Sequence, residues 1–126
     1  MVERLEGLPG GAIGVRVWGT LRKREYDATI APQLDAAAAG DGPIRYLLQV
    51  GPGFDGIDAG AMWEDAKEGL RLIGTHSRWE RTAVVSEVDW INRAINLFEW
   101  MVPGEIRVFP HAEQAAAEAW VAGEPG

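Results

Sequence analysis

The chain has 126 residues, a hydrophobic share of 47% and a formal net charge of −7. This length suits a single domain with one core, and we expect one domain over residues 1–126. The absence of cysteine excludes disulfides, thiolate metal sites and a cysteine nucleophile. The negative charge argues against a nucleic-acid partner, because it repels phosphates. We find no secretory leader and no apolar run of about 18 residues, so the sequence predicts a cytoplasmic protein.

The first part of the chain predicts a hairpin and a long helix. Residues 1–6 and 12–18 alternate apolar and polar positions around the turn cluster Gly7–Gly11, which indicates two antiparallel strands. Thr20 is then a candidate N-cap for a helix that runs to about Ala39. Pro32 lies inside this helical pattern and should kink or divide it, since proline lacks the N–H that the helix needs.

The middle of the chain predicts a buried strand followed by a second helix. Ile44–Val50 is almost continuously apolar, as is typical of a central strand covered on both faces. Asp58 is the candidate N-cap of the next helix, predicted over residues 58–73. Its apolar positions at helical spacing predict a buried stripe of Met62, Ala66, Leu70 and Ile73.

The last part of the chain continues the alternation of strands and helices. A fourth strand is predicted near 81–85, and a third helix over 89–102 after a capping-box pattern that starts at Ser86. Ile91, Ala94, Ile95 and Phe98 share one face of that helix. A fifth strand over 106–109 and a helix over 112–122 follow. The order ββαβαβαβα predicts an α/β fold with a mixed five-stranded sheet, mostly parallel with an antiparallel N-terminal hairpin, and about four helices.

Four segments of this sequence carry a resemblance that covers nearly the whole chain. They are Gly51-Pro52-Gly53-Phe54-Asp55-Gly56, residues 60–67 (GAMWEDAK), residues 88–91 (VDWI) and residues 101–109 (MVPGEIRVF). With them the chain resembles the SpoIIAA-like family, which is related to STAS domains. The resemblance implies a STAS-like fold, similar also to lipid-carrier domains of the CRAL-TRIO type. It further implies binding of non-polar ligands or association with membranes, and no established enzyme activity.

One departure from the related STAS proteins is informative. Anti-sigma antagonists of that type carry a phosphorylatable serine at the start of the helix after the third strand. The comparable place here reads Asp58-Ala59-Gly60. Because alanine has no hydroxyl, the phosphorylation switch cannot be carried over, and an anti-sigma partner loses its basis.

Two further motifs have ordinary structural explanations. Gly51-Pro52-Gly53-Phe54-Asp55-Gly56 matches G-x-G-x-x-G, but Pro52 removes an N–H and the acidic residue expected about 20 positions on is missing, so a tight turn at a pocket mouth is favoured over dinucleotide binding. The second motif is a cluster of acidic residues near the start of the second helix. Acidic side chains are favoured at helix N-termini, which explains the cluster. The alternative is a role in acid–base chemistry or in binding a divalent ion. The cluster consists of Asp55, Asp58, Glu64 and Asp65.

The remaining polar candidates give no support for catalysis. His76 and His111 are the only histidines and lack metal-ligand spacing. Ser77 and Ser86 are the only serines, and neither lies in a G-x-S-x-G elbow. The sequence therefore predicts a protein that is not an enzyme, with no catalytic residue, no metal and no cofactor.

Large apolar side chains are more frequent on the second and third helices than one core stripe needs, and six tryptophans is a high number for this length. We therefore predict that these two helices form a mobile lid over an apolar cavity. The predicted ligand-binding residues are Phe54, Met62, Trp63, Leu70, Trp90, Leu97, Phe98 and Met101. The predicted hinge residues are Gly51, Gly53, Gly56 and Gly60.

The same side chains leave other partners open. The expected partner is a non-polar small molecule or lipid, with peripheral membrane contact or homodimer formation as further expectations. The alternative function is a STAS-type protein-interaction or regulatory module that lacks the phosphorylatable serine.

Overall fold

The computed structural model describes residues 1–71, 77–101 and 103–123, without the side chains of residues 69–71, 98 and 101. Its strands are β1 (Val2–Arg4), β2 (Ile13–Val17), β3 (Thr20–Leu21), β4 (Ile44–Val50), β5 (Gly56–Ile57), β6 (Trp79–Val85) and β7 (Glu105–Phe109). Its helices are α1 (Lys23–Glu25), α2 (Ala31–Ala39), α3 (Ala59–Arg71), α4 (Asp89–Phe98) and α5 (Gln114–Val121). A π-helical segment, Tyr26–Ile30, joins α1 to α2, and single 3-10 turns lie at Pro9–Gly11, Glu99–Met101 and His111–Glu113.

The main sheet has the mixed five-stranded architecture that the sequence predicts. Its strand order is β1-β2-β4-β6-β7. β1 pairs antiparallel with β2, with Val2 opposite Val17, and the other three pairings are parallel. β4 lies at the centre, where Leu47 and Val50 are fully buried, so the apolar run of this strand is explained by cover on both faces.

The predicted start of the first helix at Thr20 is wrong. Thr20 and Leu21 instead form β3, which pairs in parallel with Gly56 and Ile57 of β5. The helix begins at Lys23, and the carboxylate of Glu25 accepts a hydrogen bond from the backbone N–H of Arg22 at 3.1 Å. The backbone of Thr20 is therefore used in strand pairing, which is incompatible with a helix cap at this position.

The long helix changes from π-helical to α-helical geometry immediately before Pro32, where the sequence predicts a kink or a division. Within the π-helical segment the N–H of Ala31 donates to the carbonyl oxygen of Tyr26, five residues earlier. Pro32 then lies in the first turn of α2, where a missing N–H costs little. The widened turn thus absorbs the proline without ending the helix.

The helices cover both faces of the sheet. On one face α5 packs Ala117, Trp120 and Val121 against Leu47 and Val85. On the other face the π-helical segment, α3 and α4 pack against β2, β4 and β6. This second layer contains the cavity described below.

The predicted buried stripe of α3 is wrong. Ala61 is fully buried and Glu68 is 7% exposed, whereas Met62 is 60% exposed and Ala66 is also exposed. The side chain of Leu70, and Ile73 as a whole, lie outside the described residues. Asp58 caps the helix as predicted, with its Oδ1 accepting the N–H of Ala61 at 2.7 Å, and the small side chain of Ala61 then faces the core.

Candidate functional site

The layer between the sheet and α3 and α4 contains a cavity of about 390 Å³. Its floor is formed by β2, β4 and β6, and its walls by the π-helical segment, the loop after β4, α3 and α4. The lining residues are Val15, Val17, Leu21, Tyr26, Ile30, Leu34, Tyr46, Leu48, Val50, Phe54, Ile57, Ala61, Asp65, Trp79, Ile91, Ala94 and Ile95. Most of these side chains are apolar, so the space suits an apolar occupant.

The cavity opens to solvent at one side. Ile57, Asp65 and Ala94 all line it and are also exposed, Ile57 by 42%. These residues belong to β5, α3 and α4. The mouth therefore lies between these three elements.

A small number of polar groups interrupt the apolar wall. The hydroxyl of Tyr26 donates to Oδ1 of Asp65 at 2.6 Å. The hydroxyl of Tyr46 donates to Oε1 of Gln33 at 2.9 Å, and Nε2 of Gln33 donates to the carbonyl oxygen of Gly14 at 3.0 Å. Among the described residues that line the cavity, Asp65 is the only charged one.

Both tyrosines keep their protons over the whole physiological range. Burial raises the pKa of Tyr26 well above its ordinary value, and the hydrogen bond to Asp65 raises it further. Burial likewise raises the pKa of Tyr46, with a smaller contribution from the charge of Asp65. Both hydroxyls are therefore hydrogen-bond donors in this site.

The structure brings only part of the predicted ligand-binding set to the cavity. Phe54 lines it and stacks on Trp90, with ring centroids 6.2 Å apart. Trp90 is itself 49% exposed. Met62, Trp63 and Leu97 are exposed on the outer sides of α3 and α4 and are not among the lining residues. The side chains of Leu70, Phe98 and Met101 lie outside the described residues.

Several lining residues were not among the predicted ligand-binding residues. Ile91, Ala94 and Ile95 line the cavity from α4, and their shared helical face was visible in the sequence. Tyr26 and Asp65 are separated by 39 residues, so no local pattern relates them. The predicted ligand-binding residues of α4 include its aromatic side chains and Leu97, whereas the described side chains of α4 that line the cavity are those of Ile91, Ala94 and Ile95.

Backbone hydrogen bonds connect the glycine-rich loop after β4 to the end of β2 and to the residue before β3. Gly51 donates its N–H to the carbonyl oxygen of Val17 at 2.8 Å, and Asp55 donates to that of Gly19 at 2.8 Å. Gly53 and Gly56 have φ values of 78° and 139°, which favour glycine. Gly60 instead permits a close approach, since a Cβ there would lie 3.0 Å from Cβ of Lys23. The hinge role of Gly51, Gly53, Gly56 and Gly60 stays a prediction.

The acidic cluster is distributed among separate structural partners. Asp58 caps α3, and Asp65 accepts the hydroxyl of Tyr26. Glu64 pairs with Lys67 at 2.9 Å and with Lys23 at 3.7 Å. No group of three potential metal ligands occurs among the described residues.

The sequence also singles out His76, His111 and a capping box that it predicts at Ser86. Nε2 of His111 lies 2.6 Å from the carbonyl oxygen of Val50, while its backbone N–H donates to Glu87. His76 lies outside the described residues. Oγ of Ser86 accepts the N–H of Val88 at 3.1 Å, and Val88, not Ser86, is the N-cap of α4, so the predicted capping box is wrong.

The strand order and the helices on both faces of the sheet define a STAS-like α/β fold, and comparison with known proteins gives the family. The SpoIIAA-like family matches residues 12–122. This chain belongs to the SpoIIAA-like family. The crystal structure of an uncharacterised protein with a SpoIIAA-like fold from Shewanella loihica superposes with a TM-score of 0.73. The two sequences are 24% identical, and the match covers 96% of this chain and 92% of the other.

No curated protein matches the sequence. Within the described part of the chain, no helix is both long enough and apolar enough to cross a bilayer.

Proposed function

We propose that this protein is a non-catalytic binding module that holds a non-polar small molecule in the cavity between its sheet and helices α3 and α4. The SpoIIAA-like fold supports a regulatory or interaction module at this level. The observation that carries the finer proposal is the cavity of about 390 Å³ with its largely apolar wall. Ligand pockets commonly range from about 300 to 1,000 Å³ and are mostly apolar with few polar groups.

The size of the apolar contribution sets the expected affinity. Burial of each methylene group contributes about 0.8 kcal/mol, so a chain of roughly ten carbons gains about 8 kcal/mol before any cost of association. A free energy of about −8 kcal/mol corresponds to a Kd of about 1 μM. Loss of translational and rotational freedom opposes this gain, so binding assays should work at micromolar concentrations and above.

The cavity can be blocked at its mouth without changing the core. Ala94 lines the cavity and is exposed, so Ala94→Trp should fill the entrance. Leu97→Trp is the matched control, because Leu97 lies on the same helix and is 66% exposed.

Binding is measured with the uncharged probe N-phenyl-1-naphthylamine, whose fluorescence rises when it enters an apolar site. Native mass spectrometry of the freshly purified protein should show any retained ligand.

We expect the probe to bind the unmodified chain and Leu97→Trp, but to bind Ala94→Trp at least tenfold more weakly. The circular dichroism spectrum checks that both variants are folded. No probe binding to the unmodified chain, together with no co-purifying apolar molecule, would remove the proposal. Equal binding to both variants would place the probe outside the cavity.

A second candidate function rests on a different observation. Met62 and Trp63 on α3, Trp90 and Leu97 on α4, and Trp100 after it are all exposed, Trp100 by 78%. Exposed large apolar side chains of this kind are typical of interaction surfaces. They favour an alternative function, namely a protein-interaction or regulatory module of the STAS type that lacks the phosphorylatable serine.

This alternative has its own discriminating experiment. Trp63→Ser is compared with Ala66→Ser, since both residues are exposed on α3. Affinity capture, light scattering and vesicle sedimentation then distinguish a protein partner, a homodimer and peripheral membrane contact. Loss of one of these associations in Trp63→Ser alone supports an interaction surface. The absence of every association in the unmodified chain removes it.

A further inference from the structure

We propose that the cavity selects apolar molecules whose polar end donates a hydrogen bond, such as a long-chain alcohol or amine, and that Asp65 accepts this bond. The proposal rests on the proposed function and adds the chemical class of the ligand. Two observations support it. The carboxylate of Asp65 lies at the mouth of the cavity, and the hydroxyls of Tyr26 and Tyr46 already donate their protons to other side chains.

Asp65 is placed to meet the polar end of a bound molecule. It lines the cavity and is also exposed, as a group at the entrance must be. Its Oδ1 already accepts the hydroxyl of Tyr26 at 2.6 Å. A carboxylate offers about four acceptor positions on its two oxygens, so a second donor can be accommodated. An apolar tail would then extend over the floor formed by Val15, Val17 and Val50.

The two tyrosine hydroxyls of the wall have no free proton to donate to a ligand acceptor. The proton of Tyr26 is donated to Asp65, and that of Tyr46 is donated to Gln33. Burial keeps both hydroxyls protonated, because it raises the pKa of each. Among the described residues of the lining there is no lysine, arginine or histidine.

A second carboxylate strengthens the same preference. Glu68 lies one turn further along α3 and is 7% exposed. Burial and Asp65 raise the pKa of Tyr26, and Glu68 raises it in the same direction. An anionic head group beside the carboxylate of Asp65, which lines the cavity, would meet like charge in a partly dry environment, which is unfavourable. A fatty acid should bind more weakly than the alcohol of the same length.

Calorimetric titration at neutral pH with three matched ligands tests this proposal. Decanol donates a hydrogen bond, decyl methyl ether only accepts one, and decanoate is an anion. A hydrogen bond to a charged group contributes enough for about a tenfold difference or more. We therefore expect decanol to bind about tenfold more tightly than the ether, and decanoate to bind most weakly.

Asp65→Asn is the test variant and Glu64→Gln is its matched control. Both remove one negative charge from adjacent positions of α3, but Glu64 pairs with Lys23 and Lys67 and does not line the cavity. In Asp65→Asn the preference for decanol over decanoate should fall by about tenfold. In Glu64→Gln it should stay as in the unmodified chain.

Tyr26→Phe provides a second variant that distinguishes the two polar groups. It releases Oδ1 of Asp65 from its internal partner, so decanol should bind as tightly as before or more tightly. Loss of decanol binding in a folded Tyr26→Phe protein would assign the polar contact to Tyr26 and overturn the proposal. Equal affinities for decanol and the ether in the unmodified chain would also overturn it, while leaving the proposed function in place. Binding of none of the three ligands would instead count against the proposed function itself.

Discussion

The hydroxyl of Tyr26 and the carboxylate of Asp65 meet at 2.6 Å although 39 residues separate them in the sequence. This bond joins the π-helical segment to α3 beside the mouth of the cavity. Asp65 is exposed and Tyr26 is 3% exposed, so the bond connects the buried layer to a helix with an otherwise solvated surface. It thereby links α3 to the wall of the cavity.

The contribution of this bond to stability can be measured by a double-mutant cycle. Tyr26→Phe, Asp65→Ala and the double variant should give a coupling of about 1 to 2 kcal/mol, since hydrogen bonds to charged groups contribute somewhat more than neutral ones. Urea unfolding followed by circular dichroism measures the four free energies. A coupling close to zero would show that water replaces the bond without loss.

The two tyrosines of the cavity predict a loss of stability at alkaline pH. Burial raises the pKa of Tyr46 above the value of 10.0 that the unfolded chain has. Above this pH the unfolded state releases a proton that the folded state retains, so stability falls as pH rises. The slope for Tyr46 should be at most about 1.4 kcal/mol per pH unit.

Tyr46→Phe should reduce this dependence. Removal of its hydroxyl leaves Gln33 without that donor, so the variant is less stable at neutral pH. Its free energy of unfolding should nevertheless fall less steeply between about pH 10 and 11 than that of the unmodified chain. Equal slopes for the two proteins would mean that Tyr46 ionises as readily in the folded state as in the unfolded one.

Gly14 predicts a strong effect of a very small substitution. A Cβ at this position of β2 would overlap the backbone carbonyl oxygen of Leu47 in the central strand. Gly14→Ala should therefore destabilise the protein by about 1 to 3 kcal/mol or more, as overpacking does. Gly42→Ala is the control, because nothing lies within 4 Å of its added Cβ. Similar midpoints of urea unfolding for both variants would contradict the close approach.

The predicted lid can be located by hydrogen exchange. The amides of Asp55 and Asp58 are bonded to the carbonyl oxygens of Gly19 and Leu21, so we expect motion to begin after Asp58. Much of the surface of α3 is exposed, and such elements open at low free energy. The amides of α3 should exchange faster than those of β4, and an apolar ligand should slow them.

A ligand-free protein and a decanol-saturated one provide the comparison for this experiment. Slow exchange throughout residues 54–63 in the free protein would refute a moving lid. Unchanged exchange of α3 with decanol, where calorimetry shows binding, would mean that the helix is already closed in the free state.

The sheet could be predicted because its strands carry strong local patterns. The apolar run Ile44–Val50 needs cover on both faces, and the alternation in residues 12–18 indicates a strand with two unlike faces. The short strands β3 and β5 could not be predicted in this way, because two residues are too few for a period. For this reason the sequence pattern at Thr20 favours a helix cap, although the residue forms part of β3.

The orientation of α3 and the polar contact of the cavity depend on tertiary structure. Met62 and Ala66 have the spacing of a buried stripe, but the approach of Gly60 to Lys23 and the cap at Asp58 turn Ala61 inward instead. On α4 the sequence predicts the shared face of Ile91, Ala94 and Ile95 and a helix that covers an apolar cavity, but it does not indicate that these three side chains line the cavity. The pairing of Tyr26 with Asp65 has no local signal at all.

The wall of the cavity is largely the hydrophobic core itself. Val15, Val17, Tyr46 and Val50 belong to the main core cluster and also line the cavity. Substitutions on this floor would alter the shape of the cavity and the folding free energy together. Ile57 and Ala94, by contrast, are exposed at the mouth. When related proteins evolve different ligand preferences, we therefore expect the substitutions to occur mainly at the mouth. The residues of the floor should change slowly, whatever molecule each protein binds.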